Sequence, residues 1–221
     1  MNHIVKIISV EPVTHDVKRF TIQKPDGFKF KPGQATEVSI NTPALKNEKR
    51  PFTFTSLNDN RHLEFTIKIY ENHNGITKEL GNLKRGDELI IRDVWGAIEY
   101  KGEGVFIAGG AGITPFIAIL RQLNSENKIA NNTLIFTNKT ESDIILEKEL
   151  DEMLGDNFIN TLTDEKKSGF ENRRIDTDFL KEKITNFSQH FYVCGPPPFV
   201  EAISKALSSL GAKTDAVVFE K

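Results

Sequence analysis

Val105-Phe106-Ile107-Ala108-Gly109-Gly110-Ala111-Gly112-Ile113-Thr114-Pro115 is the stretch on which the architecture turns. Four apolar residues read as a buried strand, a glycine-rich turn follows, and Pro115 suits the first turn of a helix. A Gly-x-Gly pair between a strand and a helix lets backbone approach a pyrophosphate closely. This is not the usual dinucleotide fingerprint. Pro115 stands where the third glycine belongs, and the next strand end, Phe136-Thr137-Asn138-Lys139, carries no acid for a ribose hydroxyl.

Downstream of this turn, apolar runs alternate with longer amphipathic stretches. Pro115 to Asn124 follows the first run, and Ile144 to Leu154 follows Thr133 to Thr137. Asp178 to Ile184 follows Phe158 to Leu162, and Phe199 to Leu210 follows Phe191 to Cys194. The alternation predicts βα units on a mainly parallel sheet. Strand C-termini line the ligand crevice of such a sheet, so Cys194-Gly195-Pro196-Pro197 is expected to face the same cleft as Gly112.

Upstream the texture differs. Ile4 to Val10, Val17 to Ile22, Ala35 to Ile40, Pro51 to Thr55, Leu63 to Tyr70 and Glu88 to Asp93 read as short strands. Turn chemistry separates them, and one helical stretch from Thr77 to about Leu83 interrupts them. Closely spaced strands of this kind predict an antiparallel barrel, which removes exposed sheet edges. The chain therefore divides near Lys101-Gly102-Glu103-Gly104, into residues 1–102 and 103–221.

With 221 residues the chain has enough length to bury a substantial core. A net charge of -2 with interspersed charges gives no reason to expect a nucleic-acid partner. No apolar run approaches the ~20 residues of a membrane span, and the start lacks a signal-peptide pattern, so a cytoplasmic setting is expected. The one cysteine, Cys194, excludes an internal disulfide and any cluster held by several thiolates. The five histidines have no zinc-type spacing, and no metal site is expected.

In the first half, Arg50-Pro51-Phe52-Thr53-Phe54-Thr55-Ser56 puts a cation at the head of a short strand. A guanidinium matches two anionic oxygens of a pyrophosphate. Phe52 is suited to cover a planar ring, and Thr53 to donate a hydroxyl bond to a ring nitrogen. The same residues also suit an ordinary strand with Phe52 and Phe54 in the core and Arg50 in solvent. At His73-Asn74-Gly75-Ile76-Thr77 a strand gives way to a helix, whose first N–H groups favour phosphate and for which Thr77 is a plausible cap.

Taken together and in this order, the segments resemble the ferredoxin–NADP reductase superfamily over nearly the whole chain. Arg50 through Ser56 is similar to its Arg-x-Tyr-Ser-x-x-Ser flavin motif, with Phe52 for Tyr and Thr53 for Ser. Gly110 to Pro115 is similar to its Gly-x-Gly-x-x-Pro turn, and Val193 to Pro198 to its Cys-Gly-Pro motif. Phe136 to Ile144 and the triple proline resemble cytochrome b5 reductase-like and flavodoxin reductase-like members.

The resemblance implies an FAD-binding barrel followed by an α/β NAD(P)-binding domain. It implies that Arg50, Phe52, Thr53 and Ser56, with backbone at Ile67 and Ile69 and with Gly75, Ile76 and Thr77, hold FAD. Gly110, Gly112, Thr114, Cys194, Gly195 and Pro196 would hold the nicotinamide nucleotide, NADH or NADPH, with Thr53 and Cys194 nearest the chemistry. Phe52 lacks the phenol of the usual tyrosine. The end, Val218-Phe219-Glu220-Lys221, differs from an acid followed by a terminal aromatic, so either Phe219 shields the flavin or a terminal ring is absent.

The implied reaction is hydride transfer from NAD(P)H to FAD and then electron delivery to a separate carrier: ferredoxin, flavodoxin or a small cytochrome. Lys46, Lys49 and Arg50 form a basic patch suited to an acidic carrier, or serve solubility alone. A monomer is expected. NADH is the expected donor, with Lys139, Arg173 and Arg174 the candidates for reading a 2′-phosphate. Two other readings stand beside this one: a ferric or free-flavin reductase without a protein acceptor, and a non-catalytic nucleotide-binding subunit.

Overall fold

The computed structural model describes residues 1–72, 75–96, 98–213 and 217–219, the last three by backbone only. Six strands build the first half: β1 (His3–Pro12), β2 (Val17–Gln23), β3 (Ala35–Ile40), β4 (Arg50–Thr53), β5 (His62–Lys68) and β6 (Glu88–Trp95). They pair antiparallel in the order β4-β3-β6-β1-β2-β5. The two ends meet at a Phe54–Phe65 bridge, reinforced where Thr55 N–H donates to Glu64 O at 2.8 Å. That contact closes the sheet into a barrel and gives both end strands a partner. Period-two alternation aims Val5, Ile7, Phe20, Ile22, Phe54 and Phe65 into one core.

Between β5 and β6 lies α1 (Ile76–Gly81), which turns Ile76 and Leu80 into that core. Its N-cap is Gly75 in extended conformation with no side-chain cap bond, so Thr77 sits inside the first turn and does not cap it. His73 and Asn74 lie outside the described residues, as do Glu220 and Lys221.

The second half has five parallel strands: β7 (Gly104–Gly109), β8 (Thr133–Asn138), β9 (Phe158–Leu162), β10 (His190–Cys194) and β11 (Val217–Phe219). Their order is β11-β10-β7-β8-β9. The helices are α2 (Thr114–Ser125), α3 (Glu147–Leu154), α4 (Thr177–Lys183) and α5 (Pro197–Ser209). One face of the sheet packs on α2 and α3 through Phe106, Phe116, Leu120 and Phe136. The other packs on α4 and α5 through Ile107, Phe179, Phe191 and Leu207. The expected start of α3 at Ile144 is three residues early. Thr140 and Asp143 form a capping box around a separate turn at Glu141–Asp143, and Leu146 has φ 55°.

The halves meet along an apolar seam, where Val17 of β2 and Ile98 of the connecting segment join the core around α2. Tyr192 of β10 pins that segment. Its hydroxyl accepts from Lys101 N–H (2.9 Å) and Gly102 N–H (3.1 Å) and donates to Gly102 O (2.7 Å). Tyr192→Phe leaves these groups without their partner, and unfolding in urea is expected to show a loss of about 1–3 kcal/mol. Burial raises the phenol pKa above its ordinary 10.0. The neutral form is thus favoured on folding; its contribution is complete below pH 10.0 and is lost as pH rises through the folded value.

Candidate active site

In the strand order, β7 has β8 on one side and β10 on the other, so the chain reverses direction at the C-terminal end of β7. Crevices at such reversals are where open parallel sheets bind ligands. The β7–α2 turn, Gly110–Ile113, runs past the end of β10 here. A Cβ on Gly112 would fall 2.6 Å from Gly195 N and closer still to the Cys194 carbonyl, so only glycine permits the approach. Gly110 has φ +52° and nothing within 4 Å of its Cβ position, which leaves its backbone open.

These turns form one wall of a cleft of about 970 Å³ between the two halves. Gly110, Gly112, Thr114, Cys194, Gly195 and Pro196 all line it, so two short segments named from sequence, about 80 residues apart, are brought together. The Thr114 hydroxyl donates to Ala111 O at 3.0 Å, locking the turn to the first residue of α2. Cys194 is 5% exposed at the end of its strand. The opposite wall belongs to the barrel: His15, Asp16, Lys68 and Tyr70.

Sequence reasoning missed that barrel wall, because the β1–β2 turn carries no motif. Lys68 pairs with Asp16 at 2.8 Å, and His15 Nε2 lies 3.7 Å from a carboxylate oxygen of Asp16 and of Asp143 across the cleft. Partial burial opposes ionisation of Asp16, but the hydrogen bond and charge of Lys68 outweigh it and hold the carboxyl below its usual range. Asn138, at the end of β8, was read only as the absence of an acid. It lines the cleft with both amide atoms buried and without a hydrogen-bond partner among the described residues.

The flavin-type motif lies on β4 and beyond it. Arg50 is exposed, and its guanidinium bonds only to Lys49 O at 2.7 Å, with no carboxylate partner among the described residues. Thr53 is 7% exposed, and its hydroxyl has no partner among the described residues. The Phe52 ring is half-buried and packs partly on the barrel core, 6.4 Å from the Phe65 ring. The Ser56 hydroxyl accepts Glu64 N–H at 3.0 Å and helps close the barrel.

Ile67 and Ile69 turn their side chains into the core, at 1% and 7% exposure. Gly75, Ile76 and Thr77 open α1, and Phe219 ends β11. Of the basic patch, Lys49 is paired with Glu37 at 3.2 Å. Of the candidate phosphate readers, Lys139 lines the cleft, whereas Arg173 is engaged by Glu171 and Glu182.

The donor set fits the cofactors of the resemblance. A glycine cradle that a Cβ would fill meets the pyrophosphate requirement on one side. An exposed guanidinium with no carboxylate partner, and a threonine hydroxyl with no partner, both among the described residues, meet the flavin requirement on the other.

Comparison with known proteins agrees. Residues 4–100 match the family model described as an oxidoreductase FAD-binding domain, and residues 106–205 match an oxidoreductase NAD-binding domain. The chain is 30% identical to NADH-cytochrome b5 reductase 2 of Mycosarcoma maydis, covering 88% of this chain and 62% of that protein. It thus spans less than two thirds of that relative's length. NADH-cytochrome b5 reductase 1 of Kluyveromyces lactis is 32% identical, covering 93% of this chain and 79% of that protein. Among solved structures, the CS-b5R domains of human Ncb5or in the NAD+ form superpose with a TM-score of 0.86 at 25% identity, covering 99% of this chain and 69% of that one. With both domain models matched and 32% identity over 79% of one such relative, this chain belongs to the NADH-cytochrome b5 reductase family, oxidoreductases that join an FAD-binding domain to an NAD-binding domain.

Proposed function

We propose that this protein takes reducing equivalents from NADH and delivers them to a small, separate electron-carrier protein. The observation that carries the reading is the single cleft walled by the Gly110–Ile113 turn and Cys194–Pro196 on one side and by barrel residues on the other. The division into a flavin half and a nicotinamide half falls near Gly102.

In this reading Arg50 neutralises the FAD pyrophosphate, and Phe52 lies against the flavin. The Thr53 hydroxyl holds a proton toward a flavin nitrogen, and Ser56 keeps the strand end in place. Backbone along β5 at Ile67 and beyond it at Ile69, with Gly75, Ile76 and Thr77, holds the rest of FAD. Gly110 and Gly112 admit the dinucleotide backbone, and Thr114, Cys194, Gly195 and Pro196 orient the nicotinamide. Phe219 is the candidate aromatic shield. Bound FAD and nicotinamide supply the hydride and single-electron chemistry. The chain's own task is to hold the reacting partners in register and keep water from between them.

Charge supports NADH. Asp143 lines the cleft four residues along the chain from Lys139, and a carboxylate there opposes a 2′-phosphate. Arg173 spends its charge on Glu171 and Glu182. Reduction with NADH is therefore expected to exceed that with NADPH by at least about tenfold in kcat/KM, the equivalent of about 1.4 kcal/mol. Arg174→Ala is expected to leave that ratio unchanged. A strong NADPH preference lost in Arg174→Ala sinks this assignment.

The relatives' names favour a carrier protein as acceptor: those named above are cytochrome b5 reductases. The test is NADH-driven reduction of a small b-type cytochrome, a ferredoxin and a flavodoxin, run beside ferric chelates and free flavin. Efficient reduction of one protein carrier is expected. Reduction of chelates or free flavin alone replaces the proposal with a ferric or flavin reductase, and no nicotinamide oxidation at all favours a non-catalytic subunit.

A further inference from the structure

Arg121 on α2 engages all three nitrogens of its guanidinium: Nη1 reaches across to the barrel, while Nε and Nη2 grip α3 within its own half. Nη1 donates to Thr55 O and to Glu64 Oε1 of the barrel, both at 2.7 Å. Nε donates to Glu149 Oε1 at 2.5 Å and Nη2 to Glu149 Oε2 at 2.9 Å, a two-point grip on α3. Arg121 is 17% exposed and Glu64 18%, so water screens this junction poorly. Burial works against the guanidinium charge, but the hydrogen bond to Glu149 and the charge of Glu64 outweigh it and hold the group more firmly protonated than usual.

The two ends of the junction have specific addresses. Thr55 lies two residues beyond Thr53, where the barrel closes, and the group seized there is a backbone carbonyl rather than a mobile side chain. Glu64 is itself fixed: it accepts from the Thr55 hydroxyl at 2.8 Å, and its N–H donates to the Ser56 hydroxyl at 3.0 Å. At the other end, Arg121 is seven residues along α2 from Thr114. That is about two turns, or about 10.5 Å, on nearly the same helix face. A stiff helix with Thr114 at its tip is thus anchored at Arg121 to Thr55, two residues past the end of β4 and Thr53, and to Glu64 on β5.

We propose that Arg121 is a positioning residue that sets the distance between the barrel's Thr53 segment and the Thr114 and Cys194 wall. It thereby fixes the approach of nicotinamide to flavin. This rests on the functional reading above. Hydride transfer is steep in distance, and misplacement by about 1 Å costs on the order of a hundredfold. Apolar contacts along the seam hold the domains together but do not by themselves specify their register; a guanidinium held at two points by Glu149, and donating through Nη1 to a fixed carbonyl and a fixed carboxylate of the barrel, does.

Arg121→Lys keeps the charge but loses the fork, and Glu64→Gln removes the barrel's charge while retaining an acceptor for Thr55. Each is loaded with FAD and compared with the unmodified protein. The readouts are melting temperature, NAD+ affinity, the long-wavelength flavin–nicotinamide charge-transfer absorbance on adding NAD+ to reduced protein, and the single-turnover rate of flavin reduction by NADH. Both variants are expected to retain flavin and to bind NAD+ within about twofold, while charge-transfer absorbance and reduction rate fall about tenfold or more. A lowered melting temperature with unchanged charge-transfer absorbance and rate in Glu64→Gln makes Arg121 simple adhesive and overturns the proposal. An unmodified protein that NADH does not bleach overturns the functional reading itself, and this proposal with it.

Discussion

Gly112→Ala is expected to weaken nicotinamide-nucleotide binding about a hundredfold and to cost the fold about 1–3 kcal/mol. The added Cβ meets no adjustable side chain. It falls against the Cys194 carbonyl and 2.6 Å from Gly195 N, both backbone atoms at the end of a buried strand. The β7–α2 turn must therefore retreat from β10. Overpacking of this kind typically costs about 1–3 kcal/mol, and the retreat occurs where the nucleotide is to be held. Lost backbone hydrogen bonds to a charged pyrophosphate, worth about 1.5–3 kcal/mol, lower affinity by up to about a hundredfold. Calorimetry with NAD+ and urea unfolding read the two effects separately. Gly110→Ala makes a useful contrast: its Cβ meets nothing within 4 Å, but its φ of +52° disfavours any side chain. Unchanged NAD+ affinity in Gly112→Ala would contradict the placement of the nucleotide between these turns.

Arg50→Ala is the second large effect, and it separates binding from folding. Arg50 is exposed, and among the described residues its side chain holds only the Lys49 carbonyl. Its removal should change stability by no more than about 0.5 kcal/mol, as for ordinary surface positions. Charge-assisted hydrogen bonds to a pyrophosphate are worth about 1.5–3 kcal/mol, so FAD affinity should fall by roughly ten- to a hundredfold. Flavin released on ultrafiltration, followed by its fluorescence, measures the loss. Arg50→Lys should recover part of it, since charge is restored without the planar fork. Equal flavin retention in all three proteins would leave Arg50 as a plain surface residue.

Most of the fold is legible in the chain because the two halves carry different periods. Alternation at period two gives β2, β3 and β6 to within two residues at either end, and apolar runs capped by glycine give β7 and β10 as closely. What period cannot convey is which strands meet. Closure of the barrel depends on Phe54 facing Phe65 and on Ser56 reaching Glu64, partners set by curvature and not by any local pattern. The error at Thr77 has a local cause. A threonine near a helix start suggests a cap, but Gly75 takes that position with extended backbone.

The site divides in the same way. Glycine and proline spacing marks the β7–α2 and β10–α5 turns, because close backbone approach demands those residue types locally. His15, Asp16 and Lys68 enter the cleft from turns and strand ends with no distinctive composition, and only the domain seam makes them neighbours of Asp143. Arg121, Glu64 and Glu149 are ordinary charged residues in sequence; their junction exists only once α2, α3 and the barrel are assembled. Asn138 carries a physical signal, a buried amide with no partner, that is visible only when burial is known.

The most direct test of the account is an anaerobic visible spectrum of the purified protein supplied with FAD, recorded before and after stoichiometric NADH and, in a second cuvette, NADPH. A bound-flavin band that NADH bleaches rapidly and NADPH slowly is expected. A protein that takes up no flavin, or whose flavin neither nucleotide reduces, would contradict it.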